Sequence, residues 1–410
     1  DVPNMVHVAC VELPSEDTEI DARAGSGVSI ELALSFSHAS GEVNRARHAP
    51  NAPTLVATRG PTNEAFVYDL ETVASDPEPR WTLRGGHFAE GFGLSWRRGD
   101  GERDGAVLEL LTCGNDGTVC LWDLQSAGSA EMGASSSSSS SSSTRVLAPM
   151  RSYPTAGGAE MLAVGDVAWH PWVSENSHFA SVGDDRRLCI WDVRDRSGGA
   201  VAFAPDAHEG DVTAVAWVPE DSALGAHVLA TGGADGVVKI WDRRALGVGA
   251  TKALAVHVGG DGSTVANLTW APWHDSLLMS AADDGKVVWC DVLRDADTHP
   301  QRVEGDDAAL DVEDGDGGDD GDLDDAVYIP ELFFTHAGHR GQPVTDVAFS
   351  PSMPWLAACV DDQNQLHVWM PSDDICHPDD DDDDDDEGGG EEDTGAAAAA
   401  TKRKRAEEIN

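Results

Sequence analysis

Gly114–Asp123 reads GNDGTVCLWD, a tight polar turn followed by a short strand that ends in Trp-Asp, and varied copies of it return along the chain. The copies are GDDRRLCIWD at Gly183–Asp192, GADGVVKIWD at Gly233–Asp242 and ADDGKVVWCD at Ala282–Asp291. Weaker ones are VDDQNQLHVWM at Val360–Met370 and RGPTNEAFVYD at Arg59–Asp69. Asp, Asn and Gly supply the special backbone angles of the turn, and the run after it places a strand with a buried face. Self-similarity at a period of roughly 40 to 50 residues is the mark of stacked repeats, each a supersecondary unit that buries its apolar faces against its neighbours.

The copies resemble WD repeats, which implies an all-β, seven-bladed WD-repeat β-propeller with one four-stranded blade per copy. Six repeats are readable, ending near Asp69, Asp123, Asp192, Asp242, Asp291 and Trp369, and a stray alternating strand at Met5–Leu13 stands before them as part of a first blade. The rest of that blade is expected upstream of Asp1. A Thr or Ser stands four residues before the turn Asp in four copies: Thr112 with Asp116, Ser181 with Asp185, Thr231 with Asp235, Ser280 with Asp284. Two copies add an upstream His. The resemblance implies a buried hydrogen-bonded chain of His87, Thr112, Asp116 and Trp122, and another of His208, Thr231, Asp235 and Trp241. These residue types overlap with a nucleophilic triad, but a set that recurs once per repeat is a structural device, since active sites are few per protein. No residue is assigned catalysis, and the chain is read as non-enzymatic.

Two copies decay. In the fifth, Cys290 holds the usual Trp position and Trp289 points to the opposite face, because strand side chains alternate. In the last, Gln363 takes the Asp position and Cys359 the Ser position. Both blades are expected to be held by packing more than by the polar chain.

Composition narrows the functional classes. The net charge is −47. Glu304–Asp325 has twelve acidic residues in 22 and Asp373–Asp393 has fourteen in 21, runs too polar to bury a core of their own. Such charge attracts basic protein partners and disfavours direct nucleic-acid binding through repulsion from phosphates. Seven Cys without a C-x-x-C pair give no disulfide frame or zinc site, the 15 His show no paired ligand spacing, and no metal or cofactor is expected. No apolar stretch suits a membrane span or signal peptide.

The propeller is read as residues 1–372, interrupted by a Ser-rich insertion at 126–160 and an acidic loop at 295–327, with 373–410 as a disordered acidic tail. That tail ends in Lys402, Arg403, Lys404 and Arg405, a pattern matching a nuclear import signal, so the expected location is the nucleus.

Segments outside the repeated signature resemble one branch of the superfamily, the retinoblastoma-binding or MSI-type histone-binding proteins. They are GEVNRARHAPNAPTLVAT at Gly41–Thr58, GGHFAEGFGLSW at Gly85–Trp96, GDVAWHP at Gly165–Pro171 and PELFFTHAGH at Pro330–His339, the last leading into PSMPWLAACVDDQNQLHVWM. The resemblance implies a histone-binding scaffold subunit of chromatin assembly, deacetylase, remodelling or Polycomb-type complexes. Its partners would be core histones and other subunits of those complexes. It implies a top face for basic peptides built from Glu42, Asn44, Glu90, Phe92 and Asp211. It also implies a groove for a histone helix, built from Asp322, Asp324, Asp325, Pro330, Glu331, Leu332 and Ile375 with an N-terminal helix expected upstream. Carboxylates would pair with Lys and Arg while adjacent apolar groups cover the ligand's apolar face. The sequence departs from the pattern at Gly165, where the family carries an acid, and at Thr335, where it prefers an apolar residue. The alternative is a ribosome-assembly factor of the glutamate-rich WD-repeat type, which shares the acidic insertion and binds basic ribosomal proteins.

Overall fold

The computed structural model describes residues 4–12, 29–73, 78–99, 107–125, 144–155, 162–246, 254–257, 262–293 and 332–372. Among them every regular element is a β-strand except a 3-10 turn at Val173–Glu175, and the strands form six sheets of three to five strands plus one two-stranded sheet. No helix among the described residues is long and apolar enough to cross a membrane. The chain divides into two compact units, Asp1–Trp217 and Val218–Asn410.

The first unit opens with the two-stranded sheet, Met5–Glu12 against Ser29–Ser37, with a bulge between Val8 and Ala9. Its first blade is the antiparallel series Arg45–Ala49, Ala52–Arg59, Ala65–Asp69 and Trp81–Leu83. Arg145–Leu147 joins Trp81–Leu83 in parallel as a fifth strand, so part of the Ser-rich insertion returns to extend the first blade. The second blade is Leu94–Trp96, Glu109–Cys113, Thr118–Asp123 and Arg151–Pro154. The third is Val164–Trp169, His178–Gly183, Leu188–Asp192 and Ala202–Ala204, and Val212–Trp217 closes the unit.

In the second unit, Val228–Gly233, Val237–Asp242 and Leu254–His257 form an antiparallel meander. The fifth blade is Val265–Trp270, Leu277–Ala282, Val287–Asp291 and Leu332–His336. The acidic loop therefore interrupts a blade between its third and fourth strands. The sixth blade is Val344–Phe349, Ala357–Asp361 and Leu366–Trp369.

The signature strand is the third of the first, second, third, fifth and sixth blades, ending Tyr-Asp, Trp-Asp, Trp-Asp, Trp-Cys-Asp and Val-Trp, and its composition follows from burial on both faces. Leu110, Cys120 and Trp122 pack toward the first blade with Leu55, Val67 and Trp81, whereas Leu111, Val119 and Leu121 pack toward the third with Phe179 and Trp191. A strand sandwiched in this way must be apolar at consecutive positions, which is why TVCLWD reads as a run rather than a strict alternation. Tryptophans at the ends of first strands add a second kind of join: Trp96 Nε1 donates to the Arg47 carbonyl at 2.9 Å, and Trp217 Nε1 to the Ala168 carbonyl at 3.2 Å.

The turn before the third strand needs a left-handed residue. Gly117, Gly236 and Gly285 supply it at φ 71°, 73° and 83°, while Arg186 and Asn364 occupy the same point at 59° and 61°. Glycine adopts this angle without a Cβ penalty, and the Arg186 turn costs about 1 kcal/mol more.

Candidate functional site

The polar chain of the second blade forms as the residue types demand. Trp122 Nε1 donates to Thr112 Oγ1 at 2.8 Å, Thr112 meets His87 Nε2 at 2.7 Å, and His87 Nδ1 lies 3.1 Å from Asp116 Oδ2. Asp116 also accepts the backbone N–H groups of Phe88 and Thr118 at 2.9 and 3.1 Å, which ties the loop to the turn. Burial lowers the His87 pKa, opposed by Asp116 and reinforced by Arg59, so the ring stays neutral at physiological pH. Asp116 is held below the usual carboxylate range because hydrogen bonds from His87 and the two backbone donors outweigh its own burial. Thr112 is fully buried, with no surface to present to a substrate. Trp241 Nε1 donates to Thr231 Oγ1 at 2.8 Å and Trp191 Nε1 to Ser181 Oγ at 2.9 Å, while Asp235 accepts from Val237 N. His208 is buried in the first unit.

The structure corrects the reading of the last blade. Its polar chain is present: His339 Nδ1 meets Asp361 Oδ2 at 2.9 Å, His339 Nε2 meets Cys359 Sγ at 3.0 Å, and Trp369 Nε1 donates to that sulfur at 3.4 Å. Asp361, two residues before Gln363, is the acid: in a turn of the same length it holds the place that Gly114 has in the second blade, where a side chain points at the His ring, and it also accepts the backbone N–H groups of Gln363 and Gln365. The first blade holds a variant that the sequence hid, with His38 Nε2 against Thr58 Oγ1 at 2.8 Å and Tyr68, whose hydroxyl accepts Ala39 N–H, in place of Trp. The signal was Thr58, ten residues before Tyr68 as Thr112 is before Trp122.

The fifth blade matches the expected register. Cys290 pairs with Leu278 and Trp289 with Met279, so Trp289 faces the sixth blade, fully buried among Phe333, Phe334, Phe349, Trp355 and Trp369. Its Nε1 is without a hydrogen-bond partner, and Ser280 Oγ reaches only the Val288 carbonyl at 3.4 Å. Phe333, adjacent to the predicted groove residue Leu332, is thus core rather than surface.

The candidate top-face residues of the first unit share a placement: each immediately precedes the first strand of a blade or the closing strand Val212–Trp217. Glu42 and Asp211 are exposed, Asn44 and Glu90 half-buried, and Phe92 is 42 % exposed. Asn44 Nδ2 donates to the Gly91 carbonyl at 3.4 Å and Asn115 N–H to the Glu90 carbonyl at 2.8 Å, which fixes the Glu90 loop. Phe88, at 64 % exposure, stands on the other side of Glu90. Asp211 acts on Asp184, whose pKa is raised by burial and then by that neighbouring charge; Asp184 joins the acidic set, and its signal was the Asp-Asp pair in GDDRR.

Beneath these acids lie charges that sequence reasoning missed. Arg45 Nη1 is 3.5 Å from Asp166 Oδ1, both nearly buried, and Asp166 also accepts Val215 N–H at 3.2 Å. Burial raises the Asp166 pKa, with Arg45 pulling the other way. Arg59 is fully buried, donating from Nη2 to the Cys113 carbonyl at 3.3 Å, with Glu90 and Asp116 near enough to support its charge. The position next to Gly165 is therefore not bare of acid, but Asp166 is consumed internally.

The remaining expectations lie outside the described residues: Asp322, Asp324, Asp325, Pro330, Glu331, Ile375 and Lys402, Arg403, Lys404, Arg405. Leu332 begins the outer strand of the fifth blade. One cluster was not anticipated: His336, His339, Cys359 and His367 bring a ring nitrogen or sulfur apiece to within 4.8 Å of one another. The spacing His336-x-x-His339 was its one linear trace.

Comparison with known proteins agrees with this architecture. The WD40 family, described as WD domain, G-beta repeat, matches residues 100–123, 201–242 and 330–369. The chain carries WD repeats on a β-propeller fold. A chain in a structure described as "Crystal Structure of Mitotic Checkpoint Complex" is similar over 90% of this chain and 85% of that one, with 20% identity and a TM-score of 0.55. At that identity the likeness concerns the fold. WD-repeat propellers serve as protein-interaction scaffolds, rigid rather than catalytic in their usual role, and the buried polar chains belong to that rigidity.

Proposed function

We propose that this propeller is a histone-binding scaffold of nuclear chromatin complexes, taking basic segments of core histones on the face that carries Glu42, Asn44, Glu90, Phe92 and Asp211. The observation that carries the reading is the loop Phe88-Ala89-Glu90-Gly91-Phe92, where the exposed Phe88 and Phe92 stand two residues either side of Glu90 and the Glu90 backbone is held by a hydrogen bond from Asn115 N–H to its carbonyl. A Lys or Arg side chain would pair with Glu90 and lay its methylene stem across the rings. Exposed Glu42 and the Asp184–Asp211 pair extend the negative surface, and a net charge of −47 steers basic ligands toward it. The family resemblance of GEVNRAR and PELFFTHAGH selects histones over ribosomal proteins.

The discriminating experiment is retention of purified core histones against ribosomal proteins on the immobilised full chain at moderate salt. Histones are expected to be retained preferentially, and Glu90→Lys combined with Asp211→Lys to weaken retention by at least about tenfold, or about 1.4 kcal/mol. Preference for ribosomal proteins, or no histone retention, would overturn the proposal.

A further inference from the structure

We propose that His336, His339, Cys359 and His367 form a binding site for a divalent metal ion of borderline softness, zinc above all, at the junction of the fifth and sixth blades. The four side chains come from the outer strand of the fifth blade, the turn that follows it and two strands of the sixth. Three imidazoles and one thiol are a donor set that selects zinc or its chemical relatives over magnesium or calcium.

The geometry is close to what such an ion requires. A tetrahedral zinc site with bonds of about 2.0 to 2.3 Å sets neighbouring donor atoms about 3.3 to 3.6 Å apart. Two opposite edges of that tetrahedron already exist: His336 Nε2 to His367 Nδ1 at 3.1 Å and His339 Nε2 to Cys359 Sγ at 3.0 Å. The other donor pairs all lie within 4.8 Å, so the two edges need to approach each other by about 1 Å, with a rotation of the His367 ring.

The surroundings orient the donors. Asp361 sits 2.9 Å from His339 Nδ1, and this carboxylate fixes the tautomer that leaves Nε2 bare, the arrangement that supports a metal-bound histidine from behind. His336 stacks on Trp369 with centroids 4.7 Å apart, which defends its orientation, whereas His367 lies parallel to His339 at 4.0 Å and has to rotate out of that stack on binding, because an ion sits near the plane of each imidazole that holds it. Gly338 keeps the space beside the donors clear. A Cβ there would stand 2.6 Å from His336 Nε2 and 3.0 Å from His367 Nδ1. An open cleft bordered by Arg340, Gln342, Gln363 and Gln365 reaches His339 and His367 and gives an entry path.

Without metal, the Cys359 thiol donates to His339 Nε2 and one N–H is shared between His336 and His367. On binding, the ion takes the sulfur lone pair and the thiol proton leaves to solvent, while the two imidazoles bind through their free lone pairs in the tautomer that puts N–H elsewhere. The site would clamp the outer strand of the fifth blade to the sixth, whose described sheet has three strands.

The test is cobalt(II) titration of the chelator-treated full chain, followed by zinc competition. Expected are tetrahedral d–d bands with a thiolate-to-metal charge-transfer band that saturates near about one ion per chain and is displaced by zinc. Oxygen ligands of the acidic runs give no such charge transfer. Cys359→Ser should remove the charge-transfer band, and Asp361→Asn should weaken affinity by about 10- to 100-fold. Gly338→Ala and His367→Gln should abolish tetrahedral binding, with folding checked by far-UV circular dichroism. Absence of the charge-transfer band in the folded wild-type chain, or its persistence in Cys359→Ser, would overturn the site.

Discussion

The second and fifth blades bury the same side chain on the same strand by opposite means. Trp122 faces the first blade with its indole N–H delivered to Thr112, and that hydroxyl is locked by His87 and Asp116. Trp289, one place earlier in the strand, faces the sixth blade with no partner for its N–H and an aromatic cage around the ring. A hydrogen-bonded chain specifies one orientation, because any error leaves a buried polar group unsatisfied. Aromatic packing instead offers area, with ring pairs at edge-to-face and tilted angles each adding about 0.5–1.5 kcal/mol. The shift of one residue, by exchanging faces, converts one strategy to the other.

The comparison breaks most readily at Trp289. Trp289→Ala should destabilise the protein by about 3–5 kcal/mol in denaturant melts, since it empties the centre of the aromatic cluster. Next in size, Thr112→Val should cost about 2–4 kcal/mol, because both His87 Nε2 and Trp122 Nε1 lose their partner in the interior. Ser280→Ala, the matching change in the fifth blade, should cost under about 1 kcal/mol, as its one 3.4 Å contact is weak. Equal costs at the two positions would mean that the polar chain is not what holds the second blade.

A smaller contrast sharpens the same point. Trp241→Phe should lower stability by about 1–2 kcal/mol through loss of the bond to Thr231, and Trp289→Phe by less, because removing an unpartnered N–H offsets the lost packing. Thermal melts of the two variants in the reverse order would reject the register of the fifth strand.

The last contrast is one of pH. His87 has a lowered pKa in the folded state, so below the unfolded value of about 6.5 the unfolded chain binds a proton that the folded ring refuses. More protons on the unfolded state means that stability falls as pH drops from about 6.5 toward the folded pKa, by at most about 1.4 kcal/mol per pH unit for one group. In His87→Gln the stability measured between pH 7 and pH 5 should fall less steeply, and an unchanged slope would assign the acid sensitivity elsewhere.

The fold was legible in the sequence wherever one short segment carried both turn and strand chemistry. GADGVVKIWD contains its own left-handed glycine, its alternating faces and its hydrogen-bonding Trp, so no distant information was needed. The last blade was misread for the converse reason: in a turn of the same length the acid has moved from the place of Asp116 to that of Gly114, and which of Asp361, Asp362 and Gln363 reaches His339 depends on where each side chain points, which spacing alone does not reveal. Arg45 with Asp166 and the buried Arg59 were invisible because their partners lie on other blades. The same holds for the His336, His339, Cys359 and His367 cluster, which unites two blades across 31 residues of chain. Of the candidate top face, Glu90 and Phe92 were legible through their motif, whereas Phe88 and Asp184 gained meaning from exposure and a neighbouring charge.

The most direct measurement on the central claim is a titration of a labelled core-histone tail peptide into the full chain, at low and moderate salt, followed by fluorescence anisotropy. Saturable binding that weakens with salt and falls at least about tenfold in the Glu42→Lys, Glu90→Lys, Asp211→Lys triple variant is the expected result. Binding left unchanged by those three substitutions, or no binding by the wild-type chain at low salt, would contradict it.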